Sequence, residues 1–298
     1  MALPARAEIV ALPLRRSTPQ AALAACRPRQ WSKNLLLFAG LVFAAKLGDA
    51  TRWLEASAAF LAYCAGSSAA YLLNDVLDAE NDRLHPLKRL RPVARGEISV
   101  RLALGLASGL AAVALGITAV LGLASLAFLA AFLALQVAYS LALKHVVLVD
   151  VLAISVLFVI RSAAGAQAVD VRISPWLLLV TALLALFLAL AKRRSELAQA
   201  GSGRPVLAGY SLALVDQLIA ATVGCTIVAY AIYTFTAHTR ALMATIPFVV
   251  FGLFRYLLLV HRDDLGEEPE NVLLTDGPLV AAVALWAVTA AAILATTS

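Results

Sequence analysis

An all-α protein that crosses a membrane about nine times is the fold that this sequence predicts, and three observations lead to it. Hydrophobic residues make up 62% of the 298 residues and charged residues only 14%, a balance far too apolar for a soluble domain. The apolar residues fall into stretches near the roughly 20 residues that a helix needs to cross a bilayer. The basic residues gather in the connections between these stretches. The sequence leaves no soluble domain of useful size.

The apolar stretches can be placed one by one. Only Gly116 and Gly122 mark the turn between the third and the fourth, so the count is nine plus or minus one. The nine segments are 31–48, 53–79, 100–118, 121–141, 146–166, 174–194, 209–236, 240–260 and 275–297.

The distribution of Lys and Arg predicts the orientation. Nineteen of the 24 lie on one side of these segments and four on the other, while Arg161 lies inside a segment. By the positive-inside rule, the amino terminus and the loop after the second segment are cytoplasmic and the carboxyl terminus is external, as in a multi-pass plasma-membrane protein. Residues 1–30 lack the apolar core of a cleavable signal peptide. We divide the chain into a cytoplasmic segment, 1–25, and one intramembrane domain, 26–298.

The net charge and the cysteines exclude other classes. The charge of +6 does not indicate nucleic-acid binding, because the basic residues lie between apolar segments, where anionic lipids and phosphate ligands account for them. The three cysteines are scattered and odd in number, which favours neither a disulfide framework nor a metal cluster.

The densest run of charge follows the second segment. Asp75, Asp78 and Asp82 are spaced by three and four residues, so a continuous helix would place their carboxylates on one face, with Asn74 at its edge. Like charges repel unless a cation neutralises them, and carboxylate and amide oxygens suit Mg²⁺, which is often shared with substrate phosphates. The alternative is a solvated helix end whose acids pair with nearby arginines and lysines.

Other charged residues lie at or inside the predicted segments. Lys33 and Asn34 begin the first segment, where they could anchor the helix at the membrane interface or bind phosphate. Lys192 and Arg193 close the sixth, as stop-transfer charges or as phosphate ligands. Arg161 lies within the membrane and needs a partner: Asp150, a substrate anion, or Gln167 and Asp170. A structural ion pair between helices remains the alternative for Arg161.

These motifs resemble a known family. Asn74-Asp75-x-x-Asp78-x-x-x-Asp82 is similar to the first aspartate-rich motif of the UbiA superfamily of intramembrane prenyltransferases. Residues 83–92, Arg-x-His-Pro-x-Lys-Arg-x-Arg-Pro, most resemble the branch that transfers phosphoribosyl groups to decaprenyl phosphate in arabinan synthesis. The family also has segments similar to residues 27–34 and 192–197. The resemblance covers residues 26–277 and implies helices around a central cavity beneath two polar caps.

The second half of the expected site departs from the prenyl-diphosphate enzymes. Many superfamily members carry a second aspartate-rich motif here, whereas Asp150 is followed by Ala153, Ile154 and Phe158 at the comparable positions. A full second metal site is therefore not expected. The last connection, residues 261–276, is similar to the phosphoribosyltransferase branch and could close over the ribose.

The resemblance implies Mg²⁺-dependent transfer of a phosphoribosyl group from 5-phosphoribosyl diphosphate to a polyprenyl phosphate. One rival is a prenyltransferase that joins a polyprenyl diphosphate to an aromatic or quinone precursor. Another is a transporter that binds a cation without chemistry. The expected partners are the two substrates and membrane lipids, and the sequence leaves open whether the protein forms a homo-oligomer. The expected catalytic residues are Asp75, Asp78 and Asp82, the metal ligands these three with Asn74, and the substrate-binding residues Lys33, Asn34, Lys88, Arg89, Arg91, Tyr139, Lys144, Asp150, Arg161, Lys192 and Arg193.

Overall fold

The computed structural model describes residues 15–43, 48–85, 88–171, 174–198, 205–237, 239–262, 272 and 275–297. The regular structure in these ranges is helical, and eight helices among them are long and apolar enough to cross a membrane. The predicted fold class, an all-α multi-pass membrane protein, is confirmed.

Seven of the eight spans are single α-helices, and the other joins a 3₁₀-helix, Arg240–Thr245, to α10. Further 3₁₀-helices are Pro28–Phe38, Lys88–Leu90, Leu143–His145 and Pro205–Gly209. The α-helices are α1 Thr18–Ala25, α2 Ala39–Phe43, α3 Ala50–Leu77, α4 Ala79–Leu84, α5 Val100–Leu121, α6 Leu123–Leu141, α7 Val149–Ala168, α8 Pro175–Ala198, α9 Leu212–Thr236, α10 Ile246–Arg262 and α11 Gly277–Thr297.

Local chemistry sets the ends of the spans. Asp49 caps α3 by accepting a hydrogen bond from the Thr51 amide at 2.9 Å, and Ser99 caps α5 through the Leu102 amide at 3.2 Å. The uncertain turn between the third and fourth segments lies at Gly122, whose φ of +123° is readily adopted only by glycine. The two segments are therefore separate helices, α5 and α6.

The first predicted span, 31–48, does not form a long α-helix in its described part. Residues 28–38 form a 3₁₀-helix, which becomes α-helical at Ala39, and residues 44–47 lie outside the described structure. With three residues per turn, the 3₁₀-helix aligns Trp31, Asn34 and Leu37 in one stripe, where Asn34 and Leu37 are buried. Runs of this length are uncommon, so the tertiary contacts of that stripe hold it in place.

The 3₁₀-helix lies antiparallel to α3. Trp31 donates a hydrogen bond to the Ser68 hydroxyl at 3.1 Å, and Asn34 donates to the Cys64 sulfur at 3.3 Å. Further along, the ring of Phe38 lies 5.7 Å from that of Phe60. The segment therefore descends beside α3 from the end that carries the aspartates.

α7 connects two packed halves of the molecule. Its Val151 belongs to a buried cluster formed with α8, α9, α10 and α11, while its Leu157 packs in a second cluster with α3, α5 and α6. Gly165 permits a close approach, because a Cβ there would lie 2.1 Å from the Leu37 carbonyl oxygen. α1 also joins the core through buried Ala21 and Ala25.

Candidate active site

The three aspartates lie where α3 gives way to α4. Asp75 is in the last turn of α3, Asp78 is the residue between the two helices with φ −94° and ψ 2°, and Asp82 is in α4. The expectation of one uninterrupted helix through all three is wrong, because the backbone leaves the α-helical conformation at Asp78. Asp75 and Asp82 are buried, while the side chain of Asp78 keeps 26% of its exposure.

Arg91 joins the two buried aspartates. Its Nη1 lies 2.7 Å from Asp82 Oδ2 and 3.3 Å from Asp75 Oδ1. Arg27 forms a second ion pair with Asp75 and lies over the ring of Tyr71, 4.9 Å from its centroid. Arg27 was not among the expected site residues. Its contact with Asp75 bridges 48 positions of sequence, and the only signal was its place in the motif at 27–34.

Lys144 forms an ion pair with Asp78. Its Nζ lies 2.6 Å from Asp78 Oδ1 and 3.4 Å from Asn74 Oδ1. Asn74 in turn donates from Nδ2 to Asp78 Oδ2 at 3.1 Å. The three side chains form a closed group, in which an ammonium lies between two of the expected metal ligands.

The oxygens of Asn74, Asp75, Asp78 and Asp82 fit a hard cation such as Mg²⁺ by their chemistry. The ammonium of Lys144 shows that Asn74 and Asp78 already receive a cation between them. Within the described ranges, however, no three His, Cys, Asp or Glu side chains are gathered closely enough to hold a metal ion. The carboxylates instead face basic side chains, so binding a metal requires these ion pairs to rearrange.

A second charged centre surrounds Asp150 in the first turn of α7. Arg193 of α8 donates from Nε to Asp150 Oδ2 at 2.7 Å, and Tyr210 donates from its hydroxyl to Oδ1 at 2.6 Å. Burial and the hydrogen bond to Asp150 raise the pKa of the Tyr210 phenol, which keeps its proton on the donor. Glu196 and Tyr139 also contact Arg193. Tyr210 and Glu196 were missing from the expected site.

Arg161 has a different partner from those considered. Its Nε donates to Asn34 Oδ1 at 2.9 Å, and its guanidinium lies 4.7 Å from the ring centroid of Phe132 and 5.1 Å from that of Phe158. Among the described residues, no carboxylate lies within ion-pair distance of it. Because Asn34 is fully buried and also bonded to Cys64, both ends of its amide are engaged within the protein.

The remaining expected residues lie around these centres. Lys33 donates to Gln30, one 3₁₀ turn earlier, and Lys88 and Lys192 are partly buried. Arg89 is exposed on the 3₁₀-helix Lys88–Leu90. In the last connection, Arg255 donates two hydrogen bonds to Asp276, at 3.1 and 2.8 Å. Residues 263–271 and 273–274 of this connection lie outside the described structure.

Membrane-crossing helices that enclose paired, buried charges define a class: multi-pass proteins with an intramembrane charged site, where such residues are functional by default. Within that class the relationship is specific. The chain belongs to the UbiA prenyltransferase family, whose family model matches residues 35–275, and it is therefore a membrane-embedded transferase.

The relatives and solved structures agree with this membership. Decaprenyl-phosphate phosphoribosyltransferase of Corynebacterium glutamicum is 31% identical over 277 residues, which cover 88% of this chain and 83% of the relative. The protein of the same name from Mycobacterium tuberculosis is 32% identical over 290 residues, with 91% of this chain and 93% of the relative covered. A UbiA homolog from Archaeoglobus fulgidus, solved bound to GPP and Mg²⁺, has a TM-score of 0.74 at 17% identity and covers 92% of this chain and 99% of its own. That likeness supports the fold alone.

Proposed function

We propose that the protein transfers a 5-phosphoribosyl group from 5-phosphoribosyl diphosphate to a polyprenyl phosphate, with Mg²⁺ as cofactor. The observation that carries the proposal is the gathering of three basic side chains, Arg27, Arg91 and Lys144, on Asp75, Asp78 and Asp82. Cationic groups in this number beside the proposed metal ligands suit a donor that carries a diphosphate and a further phosphate. At the second centre, Asp150 is paired with Arg193 at 2.7 Å and no aspartate-rich motif follows it, which favours a single metal site. The names of the relatives favour the same substrates.

The donor is assigned to the centre around Asp75, Asp78 and Asp82. These carboxylates with Asn74 would hold Mg²⁺, which supplies charge neutralisation for the departing diphosphate. The chain itself contributes three basic side chains at this centre: Arg27, Arg91 and Lys144. Charge-assisted hydrogen bonds from such groups stabilise negative charge that grows on a leaving group. Lys88 and Arg89 extend the basic surface towards the 5-phosphate of the donor.

The acceptor is assigned to the second centre. Lys192 and Arg193 would hold and orient the lipid phosphate, and its isoprenoid tail would leave between helices into the bilayer. As the C1–diphosphate bond breaks, positive charge develops on the ribose, and a phosphate oxygen of the lipid forms the new bond to C1. The lipid phosphate needs no general base, because its dianion is already nucleophilic at neutral pH.

The orientation and domain organisation belong to the same proposal. The excess of basic residues in the loops on one side supports an amino terminus and an aspartate centre at the cytoplasmic face, where a water-soluble ribosyl donor would arrive. Residues 26–298 act as one transferase domain. α1 packs against this domain through Ala21 and Ala25.

Turnover in detergent tests the proposal against a transporter. Purified protein is incubated with Mg²⁺, labelled 5-phosphoribosyl diphosphate and polyprenyl phosphate, where no sealed compartment exists. We expect label to enter the lipid fraction and to stay in water when EDTA is added. A protein that binds the cation but forms no labelled lipid would contradict the proposal.

A further inference from the structure

The ammonium of Lys144 lies where the proposed function needs a divalent cation. Its Nζ contacts Asp78 Oδ1 at 2.6 Å and Asn74 Oδ1 at 3.4 Å, and its side chain is only 7% exposed. Lys144 reaches this position from the 3₁₀-helix Leu143–His145, between α6 and α7. The fold therefore brings a fixed positive charge to two of the four proposed metal ligands.

The charges at this centre are balanced without a metal. Asp75, Asp78 and Asp82 are the three acidic side chains of this centre, with formal charges that sum to three negative units. Arg27, Arg91 and Lys144 supply three positive charges, each within ion-pair distance of one or two of these carboxylates. A divalent cation that enters this centre meets no uncompensated negative charge, and it is repelled by every basic group that stays in place.

Asp78 is the position where exchange is easiest. Its side chain keeps 26% exposure, whereas those of Asp75 and Asp82 keep 1% and 5%. It is also held by a lysine, a compact charge on a flexible stem, rather than by the planar guanidinium that spans the two buried acids. Replacing Lys144 therefore disturbs the protein least and opens oxygens that a metal can reach.

We infer that Lys144 is a resident counter-ion that competes with Mg²⁺ for Asn74 and Asp78 in the substrate-free protein. The diphosphate of the donor resolves the competition, because its negative charge attracts both cations: the metal takes over the two oxygens and Lys144 turns towards the phosphate. The inference rests on the proposed function. It differs from a simple phosphate-binding role in the sign of one effect, since it makes Lys144 weaken metal binding when no substrate is present.

A direct measurement of metal binding tests whether Lys144 weakens metal affinity in the absence of substrate. Full-length protein in detergent, without substrate, is titrated with Mn²⁺, and free Mn²⁺ is measured by electron paramagnetic resonance. We expect Lys144→Met to tighten Mn²⁺ binding by about tenfold or more, because it removes a unit positive charge from direct contact with two ligands. Lys144→Gln, which is one atom shorter but keeps a hydrogen-bond donor, should tighten Mn²⁺ binding as well and guards against poor folding of the first variant.

Two further variants serve as controls. Arg194→Met removes a positive charge that is paired with Asp216 at 2.7 Å, outside the aspartate centre, and should leave the Mn²⁺ affinity within about twofold, as expected for a screened charge at a distance. Adding Asp78→Asn to Lys144→Met should abolish the gain.

The outcomes separate this inference from the proposed function. If wild type binds Mn²⁺ and both Lys144 variants bind it equally or more weakly, the competition is wrong while the metal site and the proposed function survive. If no variant binds Mn²⁺, even with inorganic diphosphate added, both the competition and the proposed metal site are wrong.

Discussion

Asp150 and Arg193 form a buried ion pair across the α7–α8 interface, with 2.7 Å between Oδ2 and Nε and side-chain exposures of 0% and 1%. Removing one partner from such a pair leaves an uncompensated buried charge. We expect Arg193→Met to lower the free energy of unfolding by about 3–5 kcal/mol. The shift of the thermal unfolding midpoint in detergent measures it. Arg194→Met is the matched control, since its partner Asp216 is 39% exposed, and should cost about 1 kcal/mol or less. Equal losses of unfolding free energy in the two variants would contradict a strongly coupled, buried Asp150–Arg193 ion pair.

Asp78→Asn separates turnover from stability. Asp78 is partly exposed, and the oxygen of its amide replacement can still accept the hydrogen bond from Lys144, so the fold should be retained. Turnover should fall by about 100-fold or more, because a charged oxygen is lost from the centre that stabilises the leaving diphosphate. Steady-state rates and the unfolding midpoint are measured on the same preparation. Near-normal turnover at saturating Mg²⁺ would show that Asp78 is no metal ligand.

Asp75→Asn should abolish turnover too, but with a loss of stability. From the sequence alone, removing one of three repelling carboxylates costs the fold nothing. The structure changes this expectation, because Asp75 is 1% exposed and pairs with both Arg27 and Arg91. A variant as stable as wild type would argue against these two ion pairs.

Arg91→Ala should raise the KM for the ribosyl donor far more than that for the lipid acceptor. Loss of one charge-assisted phosphate contact costs on the order of 1.5–3 kcal/mol, or about one to two decades in kcat/KM. Because Arg91 also joins Asp75 and Asp82, the unfolding midpoint should fall as well. Arg89→Ala is the comparison: this exposed side chain should affect the donor KM without affecting stability. A larger effect of Arg91→Ala on the acceptor KM would assign the residue to the other substrate.

Reporter fusions test the orientation. A fusion at Gly96, an exposed loop residue with φ +71°, should read as cytoplasmic, and one after Ser298 should read as external. The basis is the excess of basic residues on one side of the spans. Reports from the same side would mean that the seven crossings predicted between the two points are wrong by one, and the segments to re-examine would be α5 and α6.

Lowering the pH into the acidic range should destabilise the first turn of α11. The two hydrogen bonds from Arg255 hold the pKa of Asp276 below its usual range. Since the pKa is lower in the folded state, the stabilisation is complete above the usual carboxyl range and is lost as the pH falls through the folded pKa. Hydrogen exchange of the Leu279 amide, which donates to Asp276 at 2.9 Å, should accelerate there, and Arg255→Met should move that acceleration to higher pH. If Arg255→Met left the pH dependence of Leu279 amide exchange unchanged, Arg255 would not be what stabilises the Asp276 carboxylate.

Most of the fold could be predicted because its determinants are local. A continuous apolar stretch near 20 residues long forms a helix in a membrane whatever its neighbours are, and seven predicted segments match single α-helices within a few residues. The 3₁₀-helix Pro28–Phe38 could not be predicted, since it depends on contacts of Trp31 and Asn34 with α3. Asp78, where α3 is interrupted, likewise has its ion-pair partner 66 residues away, at Lys144.

Part of the candidate site could also be predicted from the sequence, and part could not. The aspartate centre was predicted from spacing, and its acids do lie at one end of α3 with basic residues around them. The partners were not predictable: Arg27 for Asp75, Asn34 for Arg161, and Tyr210 for Asp150 come together only when distant segments pack. No periodicity within a segment encodes such contacts.

The choice of donor tests the central claim most directly. Wild-type protein in detergent with Mg²⁺ is given, in parallel, labelled 5-phosphoribosyl diphosphate with polyprenyl phosphate, and labelled polyprenyl diphosphate with an aromatic acceptor. We predict a labelled ribosylated lipid from the first reaction and no product from the second. Product from the second reaction alone would contradict the ribosyl-transfer function, and it would reassign the aspartate centre to a prenyl donor.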